Sequence, residues 1–152
     1  MGMYTEINCA FKLKQDIPPE VVAILMHMLD PRNPRPVQMP PHPLFETENW
    51  DLLLICSSQY FATSKAQSAV WLDEVDGRYR VLIRSNLKNY DDEIEKFIDW
   101  ITQYIHAVGG DFLGYSRSET TQVPTLIYCP GIFFTPEVPQ KVLAPHQADG
   151  WE

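Results

Sequence analysis

The sequence predicts an α+β two-layer sandwich, a mostly antiparallel sheet of five or six strands with two helices on one face. Three observations predict it. Two stretches carry apolar residues at helical spacing, Val21, Ile24, Leu25 and Met28, then Ile94, Phe97, Ile98, Ile101 and Ile105. Several short stretches alternate or run apolar at strand length. Asp76-Gly77 stands between two of them, a step that favours a tight hairpin. Two amphipathic helices each need a surface to cover, and one sheet supplies it.

In chain order, residues 3–14 predict the first strand, with Ile7, Cys9, Phe11 and Leu13 on one side. Pro18-Pro19-Glu20 predicts a helix start, because proline in the first turn surrenders no needed N–H and an acid suits the positive end of the dipole. Asp30-Pro31 ends that helix, since the residue before a proline is pushed out of the α region. Six of the next thirteen residues, Pro31 to Pro43, are proline, which predicts a stiff surface loop over 31–49. The apolar run Trp50 to Cys56 reads as a buried strand. Residues 67–74 and 78–87 form the hairpin around Val75-Asp76-Gly77.

Asn89-Tyr90-Asp91-Asp92-Glu93 opens the second helix, with Asn89 or Asp91 as its cap and acids in the first turn. The apolar stripe runs on to Val108, and Gly109-Gly110 stops it. Residues 111–118 and 123–129 predict two more strands. The expected organisation is one domain over 1–129 followed by an extended proline-rich arm over 130–152.

Composition narrows the function classes. Twelve basic against twenty acidic residues leave a net charge of −8, which disfavours direct binding to a nucleic-acid backbone. No apolar run approaches the roughly 18 residues of a membrane span, so no membrane partner is expected. The opening residues lack a basic segment followed by an apolar block, and a cytoplasmic setting is the expectation. Three widely spaced cysteines, Cys9, Cys56 and Cys129, each sit in an apolar stretch and read as buried thiols. No nucleotide-binding, zinc-protease or nucleophile-elbow motif is present, so no cofactor, metal or catalytic residue is assigned.

Two constellations remain. Arg78, Arg80 and Arg84 fall at even positions of one strand and share a face of the sheet. They predict either a solvated face whose arginines pair with Asp73 and Glu74, or an anion or acidic-partner patch joined by Tyr115 and Arg117. Aromatics form the second group. Trp50, Tyr60, Phe61 and Trp71 surround the central strands, and Phe133, Phe134 and Trp151 lie in the arm. Such side chains either pack on their own domain or anchor a partner. Helix-two acids read as the ordinary answer to the dipole, His42 between two prolines reads as exposed, and Cys56 finds no basic neighbour to make it a nucleophile.

The block Ser85-Asn86-Leu87-Lys88-Asn89-Tyr90-Asp91-Asp92-Glu93-Ile94-Glu95-Lys96-Phe97-Ile98-Asp99-Trp100 carries a resemblance. With His42-Pro43-Leu44-Phe45, Leu113-Gly114-Tyr115 and Pro124-Thr125-Leu126-Ile127-Tyr128, it resembles a group of small proteins from bacteria and their phages. The likeness spans roughly residues 3–129. The group has no assigned activity, so the resemblance implies a bacterial or mobile-element setting and brings no site residues.

These observations favour a non-enzymatic acidic interaction protein with a protein partner, in that setting an inhibitor of a host defence component or a toxin-neutralising protein. A homodimer through the C-terminal arm is a further expectation. The alternative is a small ligand-binding domain or enzyme with an anion site on the open sheet face. Its binding residues on either reading are Arg78, Arg80, Arg84, Tyr115, Arg117 and Trp71.

Overall fold

The computed structural model describes residues 3–58, 61 and 65–137. Six strands form one antiparallel sheet: β1 (Thr5–Lys12), β2 (Ala69–Asp73), β3 (Arg78–Leu87), β4 (Phe112–Ser118), β5 (Thr125–Tyr128) and β6 (Ile132–Phe134). Their order across the sheet is β2-β3-β1-β4-β5-β6, with β2 and β6 at the edges. Two α-helices, α1 (Pro19–Leu29) and α2 (Glu93–Ile101), complete the α+β arrangement.

Register decides which residues are covered. Cys9 faces Ile83 and Gly114, Phe11 faces Val81, and Ile7 faces Ser85 and Ser116. Ile127 continues that row beyond Gly114, and Phe133 lies beyond it. Ile7, Cys9, Phe11, Val81, Ile83, Ile127 and the stripes of both helices belong to one buried cluster, with Phe133 packed against it. The neighbouring row, with Ala10, Leu82, Arg84 and Tyr115, therefore points to the other side of the sheet.

Helix α1 starts with Pro19 in its first turn and buries Val21, Ile24, Leu25 and Met28. Asp30 at its end is extended (φ −151°, ψ 113°), as Pro31 requires. Helix α2 buries Ile94, Phe97, Ile98, Trp100 and Ile101, and is shorter than its sequence pattern predicts. It passes into a 3-10 turn at Thr102–Tyr104. Ile105 then bridges Leu13 in an isolated antiparallel contact, and Val108 is exposed. The sheet thus captures the end of the stripe before a third α-turn forms.

Trp50 to Cys56 is not a strand. Trp50–Leu52 is a 3-10 helix, and the Cys56 N–H closes a turn to the Leu52 carbonyl. Trp50, Leu53 and Leu54 are buried. A short apolar run buries equally well as turns or as a strand, and periodicity does not separate the two. The sixth place in the sheet goes instead to Ile132–Phe134, at the start of the segment read as an arm. Residues 138–152 of that segment lie outside the described residues.

The proline loop is tied down by His42. Its Nδ1 accepts the Leu44 N–H at 3.0 Å, which puts the ring hydrogen on Nε2 and lets it donate to Asp99 Oδ2 at 2.9 Å. Beside it, Phe45 meets Trp50 and Trp100 edge-on, with ring centroids 5.0 and 5.1 Å apart. The histidine read as exposed is therefore a largely covered clasp between loop and α2.

Candidate binding face of the sheet

The uncovered side of the sheet carries an unusual set of side chains. Trp71 of β2, Leu82 of β3, Phe112 of β4, and Ile132 and Phe134 of β6 are each between 42% and 56% exposed. Register places all five on this side: Trp71 opposite Arg80, Leu82 opposite Ala69 and Ala10, Phe112 opposite Tyr128, and Tyr128 opposite Ile132. Phe112 and Tyr128 also meet edge-on at 5.5 Å. A solvated sheet face ordinarily turns polar residues outward. Here apolar residues reach from one edge strand to the other.

Charges are threaded through that surface. Lys12, Arg78 and Arg80 stand near the hairpin, and Arg84 and Arg117 near the opposite end of the central strands. At the hairpin, Arg80 Nε donates to Asp73 Oδ2 at 2.7 Å, and Lys12 Nζ reaches Asp76 Oδ2 at 3.5 Å. Asp73 is held below the usual carboxylate range by the Val75 N–H first and by Arg80 second. Arg80 and Trp71 are thus neighbours in a locally neutralised patch, with Arg78 opposite Asp73 in register.

The other group converges on a cavity. Arg84, Tyr115 and Arg117 line a hollow of about 210 Å³ with Glu6, Asn8 and Asn86. Arg117 Nε donates to Glu6 Oε1 at 2.9 Å, and its guanidinium lies 5.2 Å from the Phe61 ring centroid. Arg84 Nη1 donates to Gln67 Oε1 at 3.3 Å. Lys65 closes the wall on the loop side. Burial is the main reason the Tyr115 phenol titrates above its ordinary range. The Glu6 charge adds to this, while Arg117 and Arg84 oppose it. Near neutral pH the hydroxyl is intact and can donate or accept.

The structure therefore splits the six residues singled out in the sequence. Arg84, Tyr115 and Arg117 share the cavity, whereas Trp71, Arg78 and Arg80 sit toward the hairpin. Sequence reasoning missed Glu6, Asn8, Lys65 and Asn86. Glu6 and Asn8 carried a usable signal, since they alternate with buried Ile7 and Cys9. Asn86 carried the same signal as the arginines, since it stands two residues after Arg84 on β3, whereas Lys65 carried none, because only the course of the loop brings it in. Tyr60 and Trp151 lie outside the described residues.

Burial raises the thiols of Cys9, to about 12, and of Cys56, which disfavours either as a thiolate nucleophile. Among the described residues, no three His, Cys, Asp or Glu side chains converge as a metal site would require. No helix among them is long and apolar enough to cross a membrane.

Fold and face together define an α+β sandwich with one covered side and one apolar, cation-studded side. Compared with family models, curated proteins and solved structures, the chain matches none.

Proposed function

We propose that this chain is a non-enzymatic interaction protein that binds a protein partner across the open face of its sheet. The observation that carries the reading is the run of Trp71, Leu82, Phe112, Ile132 and Phe134 exposed on one side from β2 to β6. Scattered exposed hydrophobes are normal, but a continuous patch of this kind marks an interaction surface. Five strand spacings of about 4.8 Å make the face about 24 Å wide, enough to seat the centre of a standard interface. Its cations suit a partner whose apolar surface is edged by carboxylates. The resemblance to small proteins of bacteria and phages extends the reading to an inhibitor of a host defence component or a toxin-neutralising protein.

The test uses the paired exposed substitutions Leu82→Asp and Phe112→Asp. Native mass spectrometry of the chain purified from a bacterial host is expected to show a stoichiometric complex that the double variant loses. Circular dichroism unchanged from the parent would confirm that the variant folds. A self-complex of two copies would replace the foreign partner by a homodimer on the same face. A double variant that retains its partner in full would overturn the reading.

A further inference from the structure

The two edges of the sheet are built differently. Strand β6 is short and Pro136 follows it closely, so it offers little backbone to a further strand. Strand β2 has neither protection. Ala69–Asp73 contains no lysine, proline or glycine, and its Trp71 and Leu72 are half-exposed on opposite sides of the strand.

Which backbone groups of β2 are free follows from β3. The Tyr79 carbonyl accepts the Leu13 N–H at 2.8 Å, so the odd residues of β3 turn their backbone groups toward β1. The even residues turn toward β2, and the Arg84 carbonyl accordingly accepts the Gln67 N–H at 2.8 Å. In register Trp71 lies opposite Arg80, whereas Val70 and Leu72 lie opposite Val81 and Tyr79. The ladder to β3 therefore uses Ala69, Trp71 and Asp73. The N–H and C=O groups of Val70 and Leu72 point out of the sheet edge, and no described residue bonds them.

We propose that β2 pairs antiparallel with β2 of a second copy of this chain, about a two-fold axis at Trp71. Val70 then lies opposite the partner's Leu72, and Leu72 opposite the partner's Val70. Each pair exchanges two N–H···O bonds, about four in all, which satisfies every outward group of both residues. Trp71 meets its own copy in the closer, non-hydrogen-bonded pair between them, with both indoles on the open side of the sheet. An open hollow of about 340 Å³ over Ala10 and Arg80 adjoins Trp71 and leaves room there for the partner's Trp71. Charge selects the antiparallel arrangement. A parallel pairing about the same residue would set Asp73 and Glu74 against their own copies. The antiparallel one carries exposed Glu74, which takes no part in the ion pairs of the hairpin, past the partner's Ala69 toward the exposed Lys65 of the partner subunit. The two sheets become one, and both apolar faces stay open on the same side.

The experiment is sedimentation equilibrium of the full chain from micromolar to millimolar concentration, with no other protein present. A monomer–dimer equilibrium is expected, with a dissociation constant on the order of 10 μM, as suits a small interface. Leu72→Pro removes an outward N–H and leaves the ladder to β3 intact, and is expected to weaken the dimer at least about tenfold. Trp71→Lys and Trp71→Glu are each expected to weaken it by a similar factor, because residue 71 stands opposite itself. An equimolar mixture of these two variants is expected to recover the dimer, as a two-fold pairing centred on Trp71 requires. Circular dichroism unchanged from the parent establishes that Leu72→Pro folds; should it not, the exposed Trp71 variants decide alone. Phe112→Asp, three strands away on β4, is expected to dimerise as the parent does, which separates this edge from the open face. A monomer at every concentration would overturn the proposal. So would a dimer that the Trp71 variants leave unchanged, or one that Phe112→Asp abolishes.

Discussion

Gly114 is the tightest point of the sheet. It pairs with Cys9 of β1, and its φ of +152° is one that side-chain-bearing residues rarely adopt. A Cβ at this position would lie 2.7 Å from the Cys9 Cα and press on the Asn8 carbonyl oxygen. Both obstacles are backbone of the central strand, so neither can move aside cheaply. Gly114→Ala is expected to destabilise the fold by at least about 3 kcal/mol, read from the shift in a urea unfolding midpoint. A midpoint within error of the parent would show that β1 and β4 do not approach this closely. Cys9 gives a second reading at the same spot. The residue is 4% exposed and its thiol is pushed up to about 12 by burial, whereas Cys56 is only partly covered. Brief treatment of the native chain with iodoacetamide at pH 8 is expected to label Cys56 ahead of Cys9, as peptide mass spectrometry resolves. Equal labelling would contradict the burial of Cys9.

At the scale of elements, α2 shows what local chemistry can specify. Asp92, the residue before the helix, has φ 55° and offers no side-chain cap. The cap comes from three residues earlier, where Asn89 Oδ1 accepts the Ile94 N–H at 2.9 Å and its amide donates to Glu95 Oε1 at 2.8 Å. Asn89→Ala is expected to cost about 1 kcal/mol by the same urea measurement, and a loss below a few tenths would mean water caps the helix equally well. The asparagine was legible in the sequence, as were both helix starts, the Asp76-Gly77 hairpin and the alternation of β1. What those share is dependence on residues within a few positions of one another. Trp50 to Cys56 failed because burial of Trp50, Leu53 and Leu54 is satisfied by any compact path, and the path taken is held by α1 and by β3, whose Ser85 Oγ donates to the Leu53 carbonyl and whose Asn86 N–H donates to the Cys56 carbonyl. The edge strand Ile132–Phe134 was illegible for the opposite reason: three residues carry almost no periodicity. The candidate site divides in the same way. Arginines at even positions of β3 announced a common face, which Asn86 shares, but the union of Arg84 with Arg117 and Tyr115 depends on β1 lying between β3 and β4.

For the molecule as a whole, the sheet acts as a partition, with the helices and nearly all the buried residues on one side. Groups pulled toward that buried side leave a signature in the pH dependence of stability. In the unfolded chain the Cys9 thiol ionises near its ordinary value of 9.0, whereas in the folded chain it does so near 12. Between those values the unfolded chain gives up a proton that the folded chain keeps. Stability is therefore complete below about pH 9 and falls as pH rises, with a slope approaching about 1.4 kcal/mol per pH unit from this one group. Burial also raises Cys56 and Tyr115, so both act in the same direction. Urea midpoints taken from pH 7.5 to 10.5 are expected to be level at first and to decline above about pH 9. Cys9→Ala removes the largest contributor and is expected to flatten the decline, even though it also lowers the plateau by leaving a small void against Ile83. A parent protein equally stable at pH 8 and pH 10.5 would mean that water reaches the thiol in the folded state. The shared surface of β1, β3 and β4 would then be looser than its register implies.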